Sequence, residues 1–82
     1  MSKRNPYDYQ RQILRKILTN IRKNKNIKQI ELAKSLNKPQ SFISKYENGE
    51  RNLDLIEINQ LCKVLKFPLI KVIKEFEVLS NK

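Results

Sequence analysis

The sequence predicts an all-α fold, a compact domain of five short helices, and three observations carry that prediction. Apolar residues recur at spacings of three and four along most of the chain, and cap-forming residues stand where these stretches begin and end. The chain has 82 residues, which leaves room for one thin core and no second domain. No internal repeat, low-complexity run or strand pattern interrupts it.

Met1 to Tyr7 (residues 1–7) reads as a flexible basic arm carrying Lys3 and Arg4, and residues 8–82 read as the domain. The first helix is predicted over Asp8–Lys25, with Asp8 as N-cap and Ile13, Leu14, Ile17, Leu18 and Ile21 as its apolar stripe. Tyr7 and Tyr9 are expected to cap the core. Asn26 should end the helix in a left-handed conformation. The second helix follows Lys28 as N-cap, with Glu31 at N3 and Ile27 set against Leu32 as a hydrophobic staple, and ends by Leu36. Asn37-Lys38-Pro39 forms a turn, because Asn tolerates a left-handed backbone and Pro39 restricts Lys38 to extended geometry. The third helix spans about Gln40–Asn48, and Gly49, the only glycine, follows as its C′ residue. Asp54 caps the fourth helix with Glu57 at N3, and Leu53 and Ile58 make a second staple. Ile58, Leu61, Cys62 and Leu65 then share one face. Pro68 starts the fifth helix, which runs to about Leu79.

Composition narrows the function. Lys and Arg number 18 against 8 Asp and Glu, a formal net charge of +10, which is the footprint of a protein that binds polyanions. Nucleic acid ranks above a membrane surface, since no stretch approaches the roughly 20 apolar residues that span a bilayer. The first twelve residues lack an apolar signal region, so the expected compartment is the cytoplasm. Cys62 agrees with that, and reads as buried apolar filler. With no His, one Cys and one Gly, the chain is expected to hold no catalytic site, no metal and no cofactor. Glu75 and Glu77 lie two apart, which on a helix sends their carboxylates to different faces.

The informative feature is the tight helix-turn-helix between Gln29 and Tyr46. Ala33 falls where two helices cross and only a small side chain fits, Asn37 takes the turn, and Leu32, Leu36, Ile43 and Tyr46 supply apolar contacts. The string Gln29-x-x-Leu32-Ala33, followed by Pro39-Gln40-Ser41-Phe42-Ile43-Ser44-Lys45-Tyr46-Glu47-Asn48-Gly49-Glu50-Arg51, resembles the phage-repressor-like, or Xre-type, helix-turn-helix regulators. The resemblance covers Ile21 to Phe76. It implies a lambda-repressor-like fold whose third helix lies in the DNA major groove.

That resemblance implies that Gln40, Ser41 and Lys45 face base edges, and their chemistry suits the role: Gln pairs with adenine, Ser donates or accepts, and Lys donates to guanine. Phe42 either packs on the second helix or touches a thymine methyl. Gln29, Asn48 and Arg51 match positions that grip phosphates on either side of the groove. Arg22 and Glu47 match positions that in several phage repressors form a structural ion pair between the first helix and the end of the third. The chain departs from the family pattern at Lys28 and Pro39, where Ser or Thr caps are usual, and at Asn37, where Gly is usual.

The resemblance and the charge together lead to a sequence-specific binder of double-stranded DNA, a transcriptional regulator of the repressor or autoregulator kind. The arm at Ser2–Asn5 would either be disordered or reach into a minor groove. Crowding of apolar residues in the fifth helix predicts a homodimer. Leu69, Val72, Ile73, Phe76 and Leu79 share one face, while Ile70 and Val78 extend the apolar surface beyond it, so Ile70, Ile73 and Val78 are the expected dimer contacts. The alternative from another class is an interaction module, such as an antitoxin, that holds a toxin or other protein partner and binds DNA only secondarily.

Overall fold

The computed structural model describes residues 6–81, which form five helices in the order α1 (Pro6–Asn24), α2 (Gln29–Ser35), α3 (Gln40–Glu47), α4 (Leu55–Leu65) and α5 (Leu69–Ser80). The arm at Ser2–Asn5 lies outside the described residues. The predicted start of α1 is corrected by two residues. Pro6 takes the first helical position, where its missing N–H costs nothing and its fixed φ suits the helix. Asp8 therefore lies inside the first turn, where its charge still favours the helix dipole, and reaches Arg11 at 3.5 Å. Tyr9 is about half exposed and does not cap the core.

Four of the five helices end the same way. The residue after the last turn adopts left-handed geometry at Asn26, Asn37, Gly49 and Lys66 (φ 58°, 56°, 84° and 55°). The next N–H then closes on a carbonyl five residues back: Ile27 to Arg22, Lys38 to Ala33, Glu50 to Lys45 and Phe67 to Cys62, at 2.8–3.1 Å. Three of these positions were legible as Asn or Gly. Lys66 was not.

Caps set the helix starts unequally. Asp54 Oδ1 accepts from the Glu57 backbone N–H at 2.8 Å while Glu57 Oε1 accepts from the Asp54 N–H at 2.9 Å, a full capping box for α4. Lysine has no acceptor, so α2 has only the reciprocal half, in which Glu31 Oε1 accepts from the Lys28 N–H at 2.8 Å.

The core gathers one face of each helix. Leu18, Leu32, Ala33, Ile43 and Leu61 are fully buried, with Ile17, Ile21, Tyr46, Ile58, Cys62, Leu65 and Val72 nearly so. Ala33 lies where α2 crosses α3, and its missing bulk lets the two helices approach. α1 packs on both α3 and α5, and α4 packs on α5. The recognition-type pair α2–α3 is thus braced from behind by α1, leaving one side of α3 in solvent.

Candidate nucleic-acid interface

At 100° per residue, Gln40, Ser41, Ser44 and Lys45 lie within an arc of about 140° on α3, opposite the buried Ile43 and Tyr46. Gln40, Ser41 and Lys45 are exposed, as is Asn48 at the C-cap, one turn on from Ser44. Ser44 lies inside this arc; it belongs to the motif string, but the sequence assigns base edges only to its neighbours Gln40, Ser41 and Lys45. Its hydroxyl lies 3.5 Å from Asn48 Nδ2. The face is a double row of hydrogen-bonding groups, Gln40–Ser44–Asn48 and Ser41–Lys45, with no large apolar side chain among them.

A chain of polar contacts fixes the angle of this face. Arg22 is 8% exposed, and its Nε and Nη2 donate to the two Glu47 oxygens at 2.7 and 3.0 Å, while Nη1 donates to the Ile27 carbonyl at 2.7 Å. The pair joins α1 to the last turn of α3, with both side chains at least nine-tenths buried. Such a pair is held by its geometry: every guanidinium nitrogen has an acceptor, and the fork matches the carboxylate. Gln29 Nε2 also donates to Glu47 Oε1, at 2.9 Å, and Gln29 Oε1 lies 3.4 Å from Gln40 Nε2. The side chain of Gln29, expected on a phosphate, is here a link between the buried pair and Gln40. Only tertiary structure could show this, because the partners are 18 and 11 residues away.

Arg51 is likewise engaged. It grips Glu57 through both terminal nitrogens at 3.1 and 2.8 Å, and its Cζ lies 4.6 Å from the Phe42 ring centroid. Lys38 Nζ lies 5.3 Å from the same centroid, and the ring meets Tyr46 edge-on at 6.2 Å. Phe42 is half-buried and lies outside the polar arc, carrying two cations beside it. The Arg51 guanidinium holds the Glu57 carboxyl below the usual range, with the Asp54 N–H adding to the effect.

A second polar surface was not foreseen. A groove of about 410 Å³ runs between α1 and the end of α3, lined by Arg15, Lys16, Lys23 and Thr19 on one side and Glu47 and Asn48 on the other. In the sequence it is a polar face at positions 12, 15, 16, 19 and 23, beside the apolar stripe of α1.

A family model for helix-turn-helix proteins matches residues 18–72. The chain is similar to the solved structure of an XRE-family like protein from Pseudomonas syringae pv. tomato str. DC3000, with 36% identity over 89% of each chain and a TM-score of 0.84. This chain belongs to the Xre family of helix-turn-helix proteins. The Xre fold is also shared with the clp gene regulator ClgR from Corynebacterium glutamicum, at 21% identity, covering 88% of this chain and 77% of that one, with a TM-score of 0.77. No curated protein matches the sequence. Membership in the Xre family makes the chain a DNA-binding transcriptional regulator. No described helix is long and apolar enough to cross a membrane.

Proposed function

We propose that this Xre-family chain is a sequence-specific regulator, a repressor or autoregulator, that binds a pseudo-palindromic operator as a homodimer. The observation that carries the reading is the polar arc of α3, presented to solvent on a helix locked by the buried Arg22–Glu47 pair. A reading surface must be rigid to discriminate bases, and here Gln40 is steadied by Gln29 rather than left free. In this reading Gln40, Ser41 and Lys45 meet base edges with Ser44 between them, and Gln29, Asn48 and Arg51 flank them at the phosphates. Phe42 serves as the platform that aims Arg51.

The dimer is supported by large apolar side chains that the single chain leaves exposed: Leu55, Ile56 and Ile70 are each more than half exposed, and Ile73 is 39% exposed. Neither Ile70 nor Val78 packs beneath α1. Ile73 and Leu55 line an apolar groove of about 150 Å³ between α4 and α5, floored by Val72 and Ile58. Val78 lies about 140° round the helix from Ile73 and falls away from that face. Pairing through Ile70 and Ile73 would set two copies of α3 on successive major grooves, about 34 Å apart. The same apolar surface supports the second reading, a module that holds a toxin or other protein partner.

The test is DNA affinity measured over a salt series with operator variants. A log–log salt slope of several units is expected. Gln40→Ala should cost about 1–3 kcal/mol on the cognate site and relax preference at one base pair, while Arg51→Ala weakens all sequences alike. A flat salt response, or sequence preference untouched by Gln40→Ala, would defeat the reading.

A further inference from the structure

The groove between α1 and the end of α3, about 410 Å³, is lined by polar and charged side chains, and of these only Asn48 belongs to the reading face of α3. Gln12, Lys16, Thr19 and Lys23 fall within about 60° of one line along α1, with Arg15 on its flank. Lys16 and Lys23 are two turns apart, about 10.5 Å along the axis. Both lysines are exposed, and none of the three cations forms an ion pair among the described residues. The carboxylate in the opposite wall, Glu47, is already committed. Its Oε2 accepts from Arg22 Nε, and its Oε1 accepts from Arg22 Nη2 and Gln29 Nε2. Three positive charges therefore face a groove that holds no free anion of its own.

One of these cations is set in place. The Arg15 guanidinium lies against Gly49, 2.9 Å from where a Cβ would stand. Gly49 thus serves two ends: it takes the left-handed turn at φ +84°, and it leaves the space that seats Arg15. A seated side chain has less freedom to lose when an anion arrives.

The rest of the lining discriminates among anions. Gln12, Thr19, Asn20 and Asn48 each carry an oxygen acceptor as well as a donor. A DNA backbone offers oxygens alone and would leave those acceptors to water, whereas a peptide brings main-chain N–H groups along with its carboxylates. Volume points the same way. The groove lies within the roughly 300–1,000 Å³ of pockets that enclose a ligand, room for several side chains, while a phosphate strand needs only a line of donors.

We propose that this groove docks an acidic segment of a partner protein, with carboxylates against Arg15 and Lys16 at one end and Lys23 at the other. Its main-chain N–H groups meet the amide and hydroxyl oxygens between them. The surface differs in chemistry from the apolar face of α4 and α5, and the proposal does not rest on the operator reading.

The probe is a short synthetic peptide of alternating glutamate and serine, titrated into the isotope-labelled full chain at constant ionic strength and followed by NMR. Amides of residues 12–23 and 47–48 should shift and saturate, and a glutamine–serine peptide of the same length should give no saturable response. Lys16→Gln with Lys23→Gln should weaken the apparent affinity about tenfold. Lys71→Gln with Lys74→Gln removes the same charge from α5 and should change it by less than about twofold, since salt screens charges at that distance. All four lysines are exposed, so both double variants should fold. Equal losses in the two would mean that net charge alone draws the peptide, and would overturn the proposal. So would a short DNA duplex that saturates the amides of residues 12–20 while the peptide leaves them unmoved, because the face would then be a track for a phosphate backbone.

Discussion

Between α1 and α3 a buried arginine and a buried carboxylate meet with three bonds of 2.7–3.0 Å, counting the Ile27 carbonyl. On α4 and α5, Leu55, Ile56, Ile70 and Val78 stand 58–71% exposed, with nothing among the described residues over them. The contrast teaches which region the fold completes by itself. The helix-turn-helix half satisfies its buried charges internally, and so holds one geometry before any ligand arrives. The α4–α5 half leaves apolar area in water that association would remove, at about 25 cal/mol per Å² of surface buried.

The sharpest way to break the first half is to remove one member of its pair. Glu47→Ala strands the Arg22 guanidinium in a site with almost no water, and unfolding in urea should show a loss of about 3–5 kcal/mol. It also frees Gln29 and Gln40, so DNA specificity should fall in whatever fraction stays folded. Replacing both partners together, Arg22→Met with Glu47→Leu, should recover most of the stability but not the specificity. A Glu47→Ala protein as stable as wild type would mean that the pair does not brace α3.

The second half should respond in association rather than folding. Ile70→Lys or Ile73→Lys should weaken self-association by about 2 kcal/mol or more, read by sedimentation equilibrium, with the unfolding midpoint of the monomer little changed. Val78→Lys, on another side of α5, should have the smallest effect of the three. A wild-type chain that stays monomeric at high micromolar concentration, and on DNA, would defeat the pairing.

How much of this was legible in the sequence follows from the range of the forces involved. Asp54 with Glu57, Asn26, Asn37 and Gly49 act on backbone groups within five residues, so their roles could be read from spacing. The Arg22–Glu47 pair could be placed only through the family resemblance, since the residues are 25 apart. The link from Glu47 through Gln29 to Gln40, the Arg51 contact with Phe42 and the seat of Arg15 on Gly49 depend on how helices cross. Local rules carry no information about that.

The Arg51–Glu57 pair, at the join between the two halves, gives a smaller and pH-dependent effect. The folded Glu57 carboxyl titrates below its unfolded range, so the folded state binds fewer protons as acid is added. Its contribution is complete above the unfolded glutamate value of about pH 4.3 and is lost as pH falls through the lower folded value. The melting temperature of wild type should therefore drop on this acid limb, and Glu57→Gln should start lower and flatten that part of it. An unchanged limb in Glu57→Gln would show that the pair is fully screened.

The smallest effect tests the one helix end that the sequence did not reveal. Lys66 holds φ 55° at the end of α4, a conformation that crowds Cβ against the backbone by about 1–2 kcal/mol. The side chain is exposed and makes no hydrogen bond or ion pair among the described residues, so little holds it there except the bonds from the Lys66 and Phe67 N–H groups to Lys63 and Cys62. Glycine keeps those bonds and removes the crowding, but it also loosens the unfolded chain, which takes back about 0.4–1 kcal/mol. Lys66→Gly should thus raise stability by about 0.5–1 kcal/mol, a gain of a few degrees in melting temperature for a domain of this size. The same change should leave DNA specificity and self-association where they were, since Lys66 belongs to neither surface. A fall in melting temperature instead would mean that the left-handed turn costs the lysine nothing, and that entropy of the unfolded chain decides the sign.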